Sequence, residues 1–387
     1  MNKTRPQYSP YVEISLDNLL ENFSAVRSKL MPGVDAMAVI KDGSYGNGSV
    51  LIAKTLEREA AAWFFVVARA HEAIALRKSG VHSQILVLGF STENELRFGA
   101  DKDISFALND LSELDRWKSY DFDINCHIGF DTGMGRLGIA PSEVGELIDA
   151  IKSTPNVDIE GIYTHMARAD EPDTDTVGRQ LEIFRKCIDA LHAAGIKPHH
   201  IHYANSPTTI RFPLWDTCTL ARPGISLYGC KPDPAQEFNI KVKPVASLRS
   251  SVVKMKKVPA GTAISYGGNY VTPAETWIAT IHLGYAHGLP RFLSSKGEVL
   301  IKGKRYRIAG NVTMDYIMVD AGADPVIKVG DAVVAIGTQG DETITADDVA
   351  VIGNTIGYEI LCNLGTSIDR FYILNGKVVH HDPGTII

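Results

Sequence analysis

A lysine at the end of an apolar strand, held at a pocket mouth and partly desolvated, presents an amine that condenses with an aldehyde. Lys41 has that setting: it closes the run DAMAVIK and opens the loop KDGSYGNG. The loop is too irregular for a nucleotide-binding Walker loop, so taken alone it names no ligand. Further along, His165 ends YTH, Asn205 and Ser206 follow HYA, and Arg222, Pro223 and Gly224 close CTLARPG, while Arg136 lies in the loop DTGMGRLG. Ser206 and the RPGI stretch follow the seventh and eighth strand candidates, where βα-barrels place a phosphate on backbone N–H groups. A strand-end amine and a phosphate cradle together point to a phosphorylated aldehyde cofactor.

The elements that must position these residues are short β-branched or aromatic runs alternating with helical patterns. Strand candidates are DAMAVIK, WFFVVA, QILVLG, ISFAL, DINCHI, DIEGIYT, HHIHYAN and CTLARPG. Between them lie amphipathic segments such as VGRQLEIFRKCIDALHAAG and LDNLLENFSAVRSKL. In the latter, Leu16, Leu19, Leu20, Phe23, Val26 and Leu30 share one helical face before Pro32 and Gly33 stop it. About eight such units match a (β/α)8 barrel of ~250 residues, with an open doubly wound sheet as the competing arrangement. After Lys243 strand-like runs (SVVKMKKV, TWIATIHL, EVLIKGKRYRIAG, YIMVD, AVVAIG) follow one another with few helices, the clearest being TADDVAVIG with Thr345 as its N-cap. The expected organisation is a barrel over residues 1–243 and a β-rich domain over residues 244–387.

Composition removes other classes of function. A net charge of −6 leaves no basic excess for a nucleic-acid backbone or an anionic membrane. Five scattered cysteines, Cys126, Cys187, Cys218, Cys230 and Cys362, form no CxxC pair, so neither a disulfide framework nor a metal site is expected. The opening MNKTRPQYSPYVEISL has no secretory h-region, and no stretch reaches the ~20 apolar residues of a membrane span. A cytoplasmic location is the expectation.

The collinear motifs AVIKDGSYGNG, HIGFDTGMGRLG, EGIYTHMARADE, HYANS, ARPGISLYG, ISYGGNY, HLGYAHGLPR, AGNVTMD, ITADDVA and IGYEILC resemble the alanine racemases nearly end to end. These are pyridoxal-phosphate enzymes built from a (β/α)8 barrel and a C-terminal β domain. The resemblance implies that Lys41 binds the cofactor and that Tyr45, Ser206, Tyr358 and the backbone at Gly224 and Ile225 hold its phosphate. It also implies that His165 lies beside the cofactor and that Arg222 faces the pyridine nitrogen. Arg136 and the backbone of Met314 would hold the substrate carboxylate, and Tyr285 would reach in from the other subunit of a homodimer. The implied substrate is a small amino acid, with D-alanine feeding peptidoglycan or being consumed. A serine or broad-specificity racemase is the nearest alternative, followed by a decarboxylase on a related barrel and a non-catalytic carrier of the cofactor.

Racemisation removes an α-proton from one face and returns one to the other, which two opposed bases do directly, and Lys41 with Tyr285 would be that pair. A tyrosine works as a base near neutrality only beside positive charge or hydrogen-bond donors, for which His165 and Arg222 are available. Arginine does not readily give a proton to a pyridine nitrogen, so Arg222 should keep the ring a weak electron sink and suppress side reactions. For Asp131, Thr132 and the glycines of DTGMGRLG a loop-shaping role is expected. Four positions depart from the family pattern: Asn47 replaces a histidine, His287 an aspartate, SIDR an arginine-rich stretch, and Gly129 a carbamylated lysine beside Arg136. At Gly129 the expectation is that a small anion or ordered water fills the space and satisfies Arg136.

Overall fold

In the computed structural model, which describes residues 5–172, 175–214, 217–365 and 367–384, the eight strand candidates of the first part become a parallel sheet ordered as in the chain. They are Asp35–Ala36 with Ala38–Val39, then Phe64–Val67, Gln84–Val87, Ile104–Leu108, Ile124–Gly129, Val157–Tyr163, His200–His202 and Leu220–Ala221. Met37 splits the first into two pieces, one pairing with Leu220–Ala221 and the other with Phe64–Val67. That run is therefore bonded on both sides and closes the sheet into a barrel without a free edge. Phe64–Val67 and Ile104–Leu108 are buried at every residue, the apolar pattern of strands covered on both faces. Helices between the strands include Ala70–Lys78, Asp175–Ala193 and Ser206–Arg211. The helix Leu16–Arg27 buries Leu16, Leu19, Phe23 and Val26 as predicted. It stops before Leu30 because Lys29 and Leu30 bond to the carbonyls of Val26 and Arg27, the tighter pattern of a closing turn.

The later part of the chain is β-rich. Its central strand, Ala246–Val258, is long enough to serve two sets of partners. The first half is flanked by Tyr11–Ser15 and Ala332–Gln339, and the second half pairs with Thr276–Ile281, the register shifting between Val252 and Lys254. Such a shift bends a strand and lets it pass from one set of neighbours to another. Thr276–Ile281 pairs in turn with Ile317–Gly322. The helix Ala346–Gly353 starts where expected, the Thr345 hydroxyl accepting the Asp348 N–H.

The chain does not divide at the single cut expected between residues 243 and 244. One compact unit comprises Asn22–Leu227 with Gln236–Lys241, and the other Met1–Glu21, Tyr228–Ala235 and Val242–Ile387. The cause is the strand Tyr11–Ser15, which lies antiparallel to Ala246–Val258 and parallel to Asp369–Leu374 and so belongs to the β-rich unit. Among the described residues no helix is long and apolar enough to cross a membrane.

Candidate active site

Lys41 opens a turn that winds the wrong way for L-residues. Asp42, Gly43, Ser44 and Tyr45 have φ of 52°, 62°, 55° and 53°. Each such residue with a Cβ costs roughly 1–2 kcal/mol, so the turn persists only if its surroundings hold it. Within the turn the Ser44 N–H donates to Ile40 O (3.0 Å) and the Gly48 N–H to Gly43 O (2.7 Å). Buried Asn47 donates from Nδ2 to the carbonyls of Ser44 (2.8 Å) and Tyr45 (3.2 Å), so its amide braces the turn. From outside, Glu72 accepts the Asp42 N–H on Oε1 (2.6 Å) while its Oε2 accepts the N–H groups of Ala68 and Arg69 (3.0 Å each). One carboxylate thus caps its own helix and clamps the loop that begins with Lys41.

The phosphate candidates converge at the same end of the barrel. Asn205 caps the helix Ser206–Arg211 by accepting the Thr208 N–H (3.2 Å), which sets Ser206 at its first position. The Ser206 hydroxyl then accepts the Gly224 N–H (2.9 Å) and lies 3.1 Å from the Ser226 hydroxyl. A Cβ built on Gly224 would lie 2.5 Å from the Tyr45 hydroxyl, so only glycine lets that phenol approach the cradle. Ile225 begins the 3-10 turn Ile225–Tyr228 that follows. Hydroxyls and backbone amides without a carboxylate make a donor set suited to a phosphate dianion.

Arg222 is buried and held from several sides. Its guanidinium donates to Thr164 O (2.7 Å) and to His202 O (3.0 Å), approaches His202 Nδ1 at 2.5 Å and His165 Nδ1 at 3.3 Å, and lies over the Tyr163 ring at 5.2 Å. Burial pushes Arg222 down to about 10, which leaves it charged at neutral pH. Burial, followed by the charges of Arg222, Arg136 and Lys41, pushes His165 down to about 3. His165 is therefore neutral and offers a ring N–H, not a charge. Of the three cations, Arg222 lies against His165 at 3.3 Å, and the charges of Arg136 and Lys41 also act on it.

The loop carrying Arg136 is shaped by Asp131, whose carboxylate accepts the N–H groups of Gly133, Met134, Gly135 and Arg136, the structural part expected of it. Gln180 steadies the neighbouring loop, donating to His165 O (3.0 Å) and Thr132 Oγ1 (3.3 Å). The expectation at Gly129 needs correction. A Cβ there would lie 2.8 Å from the Tyr163 hydroxyl and 3.0 Å from Asn109 Oδ1, and that hydroxyl donates to Asn109 Oδ1 at 3.0 Å. A protein side chain thus occupies the space directly over Gly129. Arg136 is exposed in this chain, so the argument from buried, unpaired donors does not apply to it.

Tyr285, Met314 and Tyr358 belong to the other compact unit. Tyr285 starts the short turn Tyr285–His287, and its N–H donates to Thr313 O (3.0 Å) while the Ala286 N–H donates to Met314 O (3.1 Å), so Tyr285 and Met314 sit on facing loops. His287 accepts the Gly284 N–H on Nδ1 (3.1 Å) and so braces the Tyr285 turn. Tyr358 lies in the helix Gly357–Cys362. In SIDR the buried Arg370 donates to Leu364 O (3.2 Å) and Gly365 O (3.1 Å), a structural use.

Sequence reasoning missed Glu72, His127, Tyr163 and His202. A signal existed for two of them: alternation puts His200 and His202 on one face of a barrel strand, and an acidic residue early in a helix that follows a strand is a capping candidate. A closed (β/α)8 barrel with an amine and a cluster of hydroxyls at its strand ends, together with a second β-rich unit, defines the class of fold. Residues 14–232 match the model of the alanine racemase N-terminal domain and residues 245–372 that of the C-terminal domain. The chain belongs to the alanine racemase family. It is 39% identical to an alanine racemase of Halothermothrix orenii, the alignment covering 96% of this chain and 98% of that one. It is 40% identical to one from Carboxydothermus hydrogenoformans over 94% of this chain and 99% of the relative. A crystal structure of alanine racemase from Bacillus anthracis with bound L-Ala-P superposes with a TM-score of 0.90 at 35% identity, covering 98% and 99% of the two chains.

Proposed function

We propose that this chain is a pyridoxal-phosphate-dependent alanine racemase that interconverts L-alanine and D-alanine. The observation that carries the reading is the convergence of Lys41, neutral His165 and charged Arg222 with the Tyr45, Ser206 and Gly224 cradle at one barrel end. The cradle fits a phosphate, and Lys41 would hold the aldehyde carbon, Arg222 the pyridine nitrogen and Tyr358 a further phosphate oxygen. Pyridoxal phosphate, when bound, supplies the aldehyde and an electron sink that acidifies the α-C–H of an amino acid.

The residues of the chain do the rest. Lys41 Nζ takes or returns the α-proton on one face, and the Tyr285 hydroxyl serves the opposite face. Arg136 and the N–H of Met314 orient the carboxylate so that the α-C–H points at these bases. Arg222 stays protonated and would offer the pyridine nitrogen an N–H that it does not give up, keeping the ring a weak electron sink.

Tyr285 would come from a second copy of this chain. Tyr266, Tyr285, Met314 and Tyr316 are 76%, 43%, 54% and 44% exposed, an apolar set that a single chain leaves in water and a homodimer would cover. Cys126, Cys187, Cys218 and Cys230 are buried thiols, which fits a reducing cytoplasm, where D-alanine would be available for peptidoglycan.

The test is to incubate the pure protein with L-alanine and, separately, L-serine, and to resolve the enantiomers. D-Alanine should form, and Lys41→Ala should abolish both racemisation and the borohydride-trapped cofactor adduct. Faster conversion of serine would move the assignment to a serine racemase, and carbon dioxide release to a decarboxylase. Mixing inactive Lys41→Ala and Tyr285→Phe proteins under subunit exchange should restore activity. Exchange without recovery rules out a site shared between copies.

A further inference from the structure

A buried line of imidazoles meets Arg222 and takes no part in the proposed proton transfers. Arg222 Nη1 lies 2.5 Å from His202 Nδ1, and His202 Nε2 lies 2.8 Å from His127 Nδ1. A guanidinium has only donors, so His202 Nδ1 must present its lone pair to Arg222. A neutral His202 then carries its hydrogen on Nε2 and donates it to His127 Nδ1, and by the same step His127 carries its own on Nε2. The opposite order would aim an imidazole N–H at a guanidinium N–H.

Neutrality follows from the surroundings. Burial first, then His200 and Arg222, pushes His127 down to about 3, and burial with Arg222, His127 and His200 holds His202 well below its usual value. Tyr163 stacks on His202 with ring centres 5.2 Å apart and planes within 4°. At the far end Glu160 stands 3.9 Å from His127 Nε2 and accepts the Ser105 hydroxyl at 2.5 Å. The neighbouring strand leaves room for His127 only because residue 161 is glycine, since a Cβ on Gly161 would lie 2.3 Å from its Nδ1. Both rings turn their lone-pair ends toward Arg222, so their dipoles add in favour of the positive charge.

We infer that His127 is a positioning residue for Arg222: acting through His202, it locks the one tautomer that aims the charged guanidinium at the cofactor ring. The inference rests on the reading of Arg222 as the ring's partner. Its test uses 15N-histidine-labelled holoenzyme with His127→Asn, His127→Leu and Gly161→Ala. Wild-type His202 should show an unprotonated Nδ1 and a protonated Nε2, and neither His202 nor His127 should titrate between about pH 5 and pH 8. The His127→Asn variant keeps an acceptor where Nδ1 was, so the His202 signals and the pH dependence of the cofactor absorbance should match wild type. The His127→Leu variant removes the acceptor, and Gly161→Ala displaces His127. In both, the His202 Nε2–H loses its acceptor, so the ring should turn away from Arg222 and, freed from that contact, populate both tautomers; the cofactor absorbance should change its pH dependence, and kcat should fall about tenfold with KM little moved. A wild-type His202 protonated on Nδ1, or a His127→Leu variant that behaves as His127→Asn does, overturns the inference. If the His127→Leu variant does not fold, Gly161→Ala decides in its place, and wild-type tautomers opposite to those expected still overturn the inference. The tautomers are also independent of turnover: an active racemase with the wrong tautomers sinks this inference alone, and correct tautomers in a protein that racemises nothing sink the proposed reaction.

Discussion

Glu72→Ala should unfasten the turn that carries Lys41. Three non-glycine residues, Asp42, Ser44 and Tyr45, are left-handed there, which stores roughly 3–6 kcal/mol of strain. Against it stand the bonds of the turn, about 1 kcal/mol each, and the Glu72 carboxylate, whose bonds are charge-assisted and worth about 1.5–3 kcal/mol each. Glu72 accepts three N–H groups and is itself 8% exposed, but Asp42 and Arg69 are both exposed, so water replaces part of what the carboxylate supplies. Counting one bond and one helix cap as lost gives a destabilisation of about 2–4 kcal/mol. That is comparable with the stored strain, so the turn should relax and Lys41 should lose its fixed position. Chemical denaturation measures the first effect, and the rate of borohydride trapping at Lys41 in the presence of pyridoxal phosphate measures the second. Glu72→Gln, which keeps one acceptor oxygen, should recover about half of both. A Glu72→Ala protein within ~0.5 kcal/mol of wild type and with unchanged trapping refutes the clamp.

Three further outcomes follow from the same geometry. Gly224→Ala should push the Tyr45 hydroxyl out of the cradle and weaken cofactor binding by at least about tenfold, read by titrating apoprotein with pyridoxal phosphate. Gly129→Ala should displace Tyr163 from Asn109 and cost about 1–3 kcal/mol in chemical denaturation, whereas a space open to a free anion would accept the methyl without loss. The contribution of His127, His165 and His202 to stability should be flat between about pH 6.5 and pH 8 and should fall as the pH drops below 6.5, by up to roughly 1.4 kcal/mol per pH unit for each. The sign follows because the unfolded imidazoles take up protons near 6.5 while the folded ones stay neutral; stability that holds steady from about pH 7 to pH 5 contradicts their burial as neutral groups.

Most of the barrel is legible in the sequence because its strands are buried on both faces and so read as unbroken apolar runs, and because Lys41, His165, Ser206 and Arg222 stand where those runs stop. What escapes depends on contacts that no local pattern encodes. Tyr11–Ser15 falls within the 1–243 range expected for the barrel, and only its pairing with residues more than two hundred positions away assigns it to the β-rich unit. Nothing in DGSY but Gly43 announces a left-handed turn, because the groups that hold it, Glu72 above all, lie on another element. Gly129 reads as a vacancy because sequence shows the missing side chain and not the Tyr163 hydroxyl that lies against it.

The interior of this barrel departs from the all-apolar layers of the fold, and the chemistry proposed at its mouth gives a reason. A buried guanidinium needs acceptors, and the strongest would be a carboxylate in the place of His202. That choice would hold Arg222 firmly but cancel most of its field at the cofactor ring, leaving the ring nitrogen beside a neutral pair. Neutral imidazoles oriented in series stabilise the cation by their dipoles and leave its full charge directed outward. They also remain neutral only while buried, which ties the polarity of the site to the closure of the barrel around His127 and His202. The same burial that would make an unpaired histidine a liability is therefore what lets this pair serve a charged arginine.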